Sequence, residues 1–143
     1  MQLRTEVQID ATPERVWDVL ADFAAYPEWN PFIVAVSGSL EKGARLEVTL
    51  SPPDGSEMTF RPVLLGVDPA RELRWRGVFG FSWLFSGEHF FLLQPRAGGT
   101  QFVHGEDFSG ILLRALGGTL TKTARGFVFM NQALKRRCEG AGG

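Results

Sequence analysis

The chain holds one cysteine, Cys138, and one tyrosine, Tyr26, in 143 residues. A single thiol excludes an intrachain disulfide and any thiolate metal cluster. Its neighbours Arg136, Arg137 and Glu139 mark it as a residue near the end of a helix. Neither sign of charge is in surplus: 15 Lys and Arg stand against 16 Asp and Glu, for a formal charge of -1. That balance argues against a general binder of nucleic acid or of acidic membranes, which needs a basic excess. No apolar run approaches the roughly 18 residues of a membrane span. No basic stretch precedes an apolar one at the start, so no signal peptide is expected and the cytoplasm is the default compartment. Repeats and low-complexity tracts are missing too. So are a phosphate-binding glycine loop, a G-x-S-x-G elbow and an H-E-x-x-H metal motif.

Aromatic hydrocarbon, by contrast, is abundant: 12 Phe and 4 Trp beside the one Tyr. With 44% hydrophobic residues, the chain suits one domain over residues 1–143 that needs neither metal nor disulfide. Gln2 to Ile9 alternates as a strand. Thr12 and Pro13 then open a short helix, Thr12 as cap and Pro13 in the first turn, with Val16, Trp17, Leu20 and Phe23 on one face. Two prolines between Tyr26 and Phe32 force a shaped turn or a single helical turn, in which Asn30 is placed to bond nearby backbone.

Strands follow at Ile33 to Val36, Arg45 to Leu50, Met58 to Val67, Glu72 to Val78, Trp83 to Gln94 and Thr100 to Ser109. Turn-length connections between them predict an antiparallel meander. The period then changes. Leu113, Leu116, Leu120, Ala124, Phe127, Asn131, Leu134 and Cys138 share one face of a long helix, whose start Gly117 and Gly118 kink or delay. The class is α+β, and the twisted sheet has only that last helix to cover its concave face.

The run Ala11-Thr12-Pro13-Glu14-Arg15-Val16-Trp17, then Tyr26-Pro27-Glu28-Trp29-Asn30-Pro31-Phe32, resembles the START-like (SRPBCC, helix-grip) superfamily. Its bacterial polyketide cyclase/dehydrase and lipid-transport-like branch is the nearest match. Glu106-Asp107-Phe108-Ser109-Gly110 and Met130-Asn131-Gln132-Ala133-Leu134-Lys135 extend the resemblance over essentially the whole chain. It implies a helix-grip fold, with a curved antiparallel sheet wrapped around the C-terminal helix and two short helices after the first strand. It leaves function open, since carriers, receptors, cyclases and chaperone cofactors share that fold.

A turn at Arg96 to Gly99 sets Leu93 opposite Phe102, Phe91 opposite His104 and His89 opposite Glu106. His89 and Glu106 are then candidate acid and base, suited to removing a proton next to a carbonyl. An ordinary buried cross-strand pair accounts for the same residues. Which face of the Trp83 to Gln94 strand looks inward is open, because both are apolar. Asn131 either meets a ligand or bonds to the sheet.

Three functions remain. The first is binding of a small hydrophobic molecule (lipid, polyketide or aromatic metabolite) in a cavity between sheet and helix. Trp75, Phe91, Phe102 and Phe127 would form its walls, and His89, His104, Glu106 and Asn131 its polar contacts. The second is a cyclase or dehydratase using His89 and Glu106. The third is a protein-interaction module or homodimer using a patch of Leu84, Phe90 and Leu92. No cofactor, metal or nucleic acid is expected.

Overall fold

The computed structural model describes residues 1–81 and 83–140; the last three residues of the domain expected over 1–143 lie outside them. Strand β1 (Gln2–Ile9) leads into helix α1 (Pro13–Ala21), a 3-10 turn (Phe23–Ala25) and the one-turn helix α2 (Tyr26–Trp29). Strands β2 (Ile33–Ser37), β3 (Glu47–Leu50), β4 (Met58–Phe60), β5 (Val63–Asp68), β6 (Glu72–Val78), β7 (Ser86–Arg96) and β8 (Gly99–Ser109) follow. A 3-10 turn (Leu113–Leu116) then precedes helix α3 (Gly117–Glu139).

The first helices form as their residue types dictate. The Thr12 side chain accepts from the Arg15 amide, and Pro13 takes a first-turn position where a missing donor costs nothing. At the end of α2, Asn30 Oδ1 accepts from the amides of Phe32 and Ile33 at 3.0 and 2.8 Å, which turns the chain into β2. The Tyr26 hydroxyl donates to the Leu20 carbonyl, so the only tyrosine is spent on this corner.

Five strands form one antiparallel sheet in the order β1-β8-β7-β6-β5, and β2-β3-β4 form a second. Between them runs an isolated bridge from Arg45 to Val63. Two strands differ from the sequence expectation. Met58 to Val67 is broken at Arg61-Pro62, where proline has no N–H for the ladder. The strand expected from Trp83 begins at Ser86, because the preceding residues fold into a turn with Leu84 N donating to Phe81 O.

Helix α3 lies across the concave face of the larger sheet and buries Leu120, Gly126, Phe127, Met130, Asn131, Ala133, Leu134 and Cys138. Leu113 and Leu116, expected on the same face, fall in the 3-10 turn before it, and the helix starts at Gly117. Burial pushes the Cys138 thiol up to about 11, so it behaves as core rather than as a nucleophile.

Gly126 fixes how closely the helix approaches. A β-carbon there would collide with the ring of Phe32, itself 1% exposed and packed edge-on against Phe127 at 5.6 Å. Alanine should gain about 1 kcal/mol in helix propensity and lose about 1–3 to overpacking. A Gly126→Ala variant is therefore expected to melt at lower temperature. A rise in melting temperature would mean that Phe32 moves aside freely.

Candidate functional site

The turn joining β7 to β8 has Ala97 and Gly98 both at positive φ, +48° and +80°, the backbone of a two-residue hairpin loop. It sets the register that pairs Leu93 with Phe102, Phe91 with His104 and His89 with Glu106. Extended across the sheet, one row on the concave face reads Leu3, Glu106, His89, Trp75 and Leu64. The next row reads Thr5, His104, Phe91 and Leu73.

Phe91 and His89 thus face α3, while Phe90 and Leu92 face outward. Phe90 is nevertheless 3% exposed, which removes it from the patch proposed with Leu84 and Leu92. Its ring lies across Gly105, where a β-carbon would collide with it, and the Arg74 guanidinium caps it 4.9 Å from the centroid. Leu84 and Leu92 are half-buried.

Trp75, Phe91, Phe102 and Phe127, expected as cavity walls, pack on one another and on the two histidines. Trp75 stacks on His89 with centroids 5.2 Å apart, and Phe91 stacks on Phe102 at 5.9 Å. Phe127 stacks on His104 at 4.1 Å and meets His89 edge-on at 5.1 Å. At this level the space between sheet and helix holds the protein's own rings.

Through these rings runs a chain of hydrogen bonds whose direction follows from its far end. The Thr5 hydroxyl donates to the His104 carbonyl oxygen at 2.9 Å, an atom that only accepts. Thr5 Oγ1 must then accept from Asn131 Nδ2, at 2.8 Å, which turns Asn131 Oδ1 toward His104 Nδ1 at 2.9 Å. His104 Nδ1 therefore carries a hydrogen. With His104 neutral, its Nε2 accepts from His89 Nε2 at 2.7 Å. With His89 neutral too, its Nδ1 accepts from Glu106 Oε1 at 2.9 Å, and the carboxyl group holds a proton.

Electrostatics agrees with this arrangement. Burial lowers His89 to about 3. His104 also lies well below its usual range, through burial first and then the neighbouring His89, partly countered by its bond to Asn131. Burial, with a smaller contribution from the charge on Asp107, raises Glu106 to about 8. Neutral acid beside neutral imidazole avoids placing charge in the core.

Glu106 differs from its partners in one respect. His89 and His104 are 3% and 0% exposed, yet the Glu106 side chain keeps 16% of its surface. Its Oε2 lies over Gly87, where a β-carbon would displace it. Glycine at 87 thus leaves room for a carboxyl group that keeps a small part of its surface exposed.

Sequence reasoning placed His89, His104 and Glu106 together, and the structure brings Asn131 to them from α3. Asn131 bonds to the sheet rather than standing open. Thr5 was missed. Its partner strand lies about a hundred residues away, and only the alternation of Leu3, Thr5 and Val7 pointed to the inward face.

The layout, a curved antiparallel sheet closed by a long C-terminal helix with two short helices after strand 1, is the helix-grip fold. Over residues 1–139 the sequence matches the family described as polyketide cyclase / dehydrase and lipid transport, and the chain belongs to it. No curated protein matches it. Among solved structures, the chain is similar to the Zhui aromatase/cyclase from Streptomyces sp. R1128, with 21% identity, a TM-score of 0.78 and coverage of 100% and 98% of the two chains. It also resembles ginseng major latex-like protein 151 from Panax ginseng, at 10% identity, TM-score 0.77 and 97% of each chain. TTHA0849 from Thermus thermophilus gives 17%, 0.75, and coverage of 96% and 97%. At such identities these structures share the fold.

Proposed function

We propose that the protein binds a small, largely hydrophobic molecule, such as a lipid, polyketide or aromatic metabolite, in the space fronted by Glu106 between the sheet and α3. The observation that carries this reading is a buried-side carboxylic acid, set among aromatic rings, that still keeps 16% of its side-chain surface. A core acid with no further role would be packed over or paired with a cation. The family's description, which names both polyketide chemistry and lipid transport, supports the same class of ligand.

The ring packing supports one residue as the polar contact. His89, His104 and Asn131 are covered, so a ligand oxygen meets Glu106 first. Native mass spectrometry of the purified protein tests the proposal: an apolar adduct that is lost on denaturation is expected. Protein that retains nothing and takes up no 2-naphthol or oleate on incubation would refute it.

A second reading, a cyclase or dehydratase, is favoured by the directed chain. Oε1–H can pass its proton to His89 Nδ1 while Oε2 takes one from a substrate C–H next to a carbonyl. The electron pair of that bond stays as an enolate, which leaves a neutral acid between enolate and imidazolium. Returning the proton reverses the step. Turnover of a poly-β-ketone should then fall about 10²–10⁴-fold in Glu106→Gln. Unchanged turnover in that variant would remove Glu106 from the chemistry.

A further inference from the structure

We infer that the end of the molecule bearing Phe81, Trp83 and Ile111 docks onto an anionic lipid surface. These are the three most exposed large apolar side chains among the described residues, at 66%, 61% and 70%. Val78 at 45% and Leu112 at 39% lie beside them. The two loops that carry them are clasped, with Ile111 N donating to Trp83 O and Leu112 N to Leu84 O, both at 3.1 Å. Phe81 and Trp83 stack with centroids 5.8 Å apart and planes at 5°. Gly110, at φ +119°, lets the second loop press against the Leu84 backbone, where a β-carbon would collide. A built, aromatic, solvent-facing tip of this kind calls for an occupant.

Charge selects which occupant. The chain's balance of -1 conceals an uneven distribution: no acidic residue occurs between Glu72 and Glu88, and none between Asp107 and Glu139. Arg114 follows Ile111 and Leu112 closely in the chain, Lys122 lies in the first turns of the helix after it beside Gly55, and both are exposed. Arg125 nearby pairs with Asp54 at 3.3 Å. Of the acids nearest along the strands, Glu88 shares Arg74 with Glu72, at 3.7 and 3.3 Å, and Asp107 keeps its charge while accepting from Gln2 at 2.8 Å. A second copy of the chain on a two-fold axis would set these cations against their own kind. Anionic headgroups complement them, while tryptophan and phenylalanine suit the boundary between headgroups and acyl chains.

The tip also borders an apolar cleft of about 540 Å³ lined by Met1, Leu3, Leu113, Leu120 and Ala124, with Arg114 at its edge. Leu3 lies opposite Glu106 in the ladder, so the cleft leads from the tip toward the candidate site. The docking inference stands without the ligand reading, because it rests on different residues.

Co-sedimentation with vesicles of phosphatidylcholine and phosphatidylglycerol at about 3:1 tests it. Binding is expected, with at least about tenfold weaker binding to pure phosphatidylcholine and a steep loss in about 0.5 M salt. Removing Arg114 or Lys122 charge (Arg114→Gln, Lys122→Gln) should cost about fivefold each. Trp83→Ser with Ile111→Ser should abolish binding with at most a small drop in melting temperature, since both side chains are largely exposed and the Trp83 ring stacks on the exposed Phe81; Phe81→Ser alone serves if the double variant misfolds. Failure of the wild type to sediment, equal binding to both vesicle types, or full binding by the serine variants would overturn the inference. So would a wild-type dimer in light scattering that the serine variants convert to monomer, which would assign the tip to a second copy.

Discussion

Phe127→Ala should be the most destabilising single change in the site, costing about 3–5 kcal/mol by the usual figure for a large side chain removed from a core. Phe127 is fully buried and touches Phe32, His89 and His104 at once. Little can collapse into the gap, because Phe32 is already held against Gly126. The variant should also admit water beside His104, and both histidines should titrate closer to their ordinary value. Chemical denaturation gives the first quantity, and histidine carbon-bound proton shifts against pH give the second. A loss under about 1 kcal/mol would mean that the ring faces a void in the wild type, which would enlarge the proposed ligand space.

Between pH 6.5 and 8 the wild type should lose stability, whereas Glu106→Gln should not. Folded Glu106 keeps its proton up to about 8, while the unfolded group releases it near 4.5. Its contribution is complete below 4.5 and is lost as pH rises to 8. His89 behaves oppositely: it is neutral in the folded state down to about 3 against 6.5 unfolded, so its contribution is whole above 6.5 and is lost as pH falls. His104 has the same sense. The slopes oppose one another from 4.5 to about 7, where the unfolded histidines finish losing their protons, and above that the carboxyl group is the member of this hydrogen-bonded row that still titrates.

One proton corresponds to about 1.4 kcal/mol per pH unit, so the loss to pH 8 is of order 1–2 kcal/mol. Glutamine is the informative substitute because its amide N–H donates to His89 Nδ1 as the acid does, and the direction of the chain survives. Thermal melts of both proteins across this range decide the matter. A flat wild-type curve would place the charge on His89 and a carboxylate at 106.

Much of this site was legible because a two-residue turn dictates its register. Once Arg96 to Gly99 was read as the turn, His89 had to meet Glu106 and Phe91 had to meet His104. The inward face was not legible, since Phe90 and Leu92 are as apolar as Phe91 and Leu93. Gly105 settled it by giving Phe90 a place to lie on the outer face, a cross-strand relation that alternation does not encode. The exposed tip was hidden for another reason. Trp83 and Leu84 continued an apolar pattern that reads as strand, and net charge averaged away the acid-free stretches around them. The break at Pro62 shows the reverse case, where one residue lacking a donor outweighed a run of good strand formers.

The bonds from Glu106 to Thr5 all point one way and end on a peptide oxygen that cannot take up a proton. The chain is therefore a cul-de-sac for protons rather than a conduit to the far side of the sheet. Charge admitted at Glu106 can be shared with the imidazoles but must leave by the same mouth. A molecule seated there would cut that store off from bulk water and become its sole exchange partner.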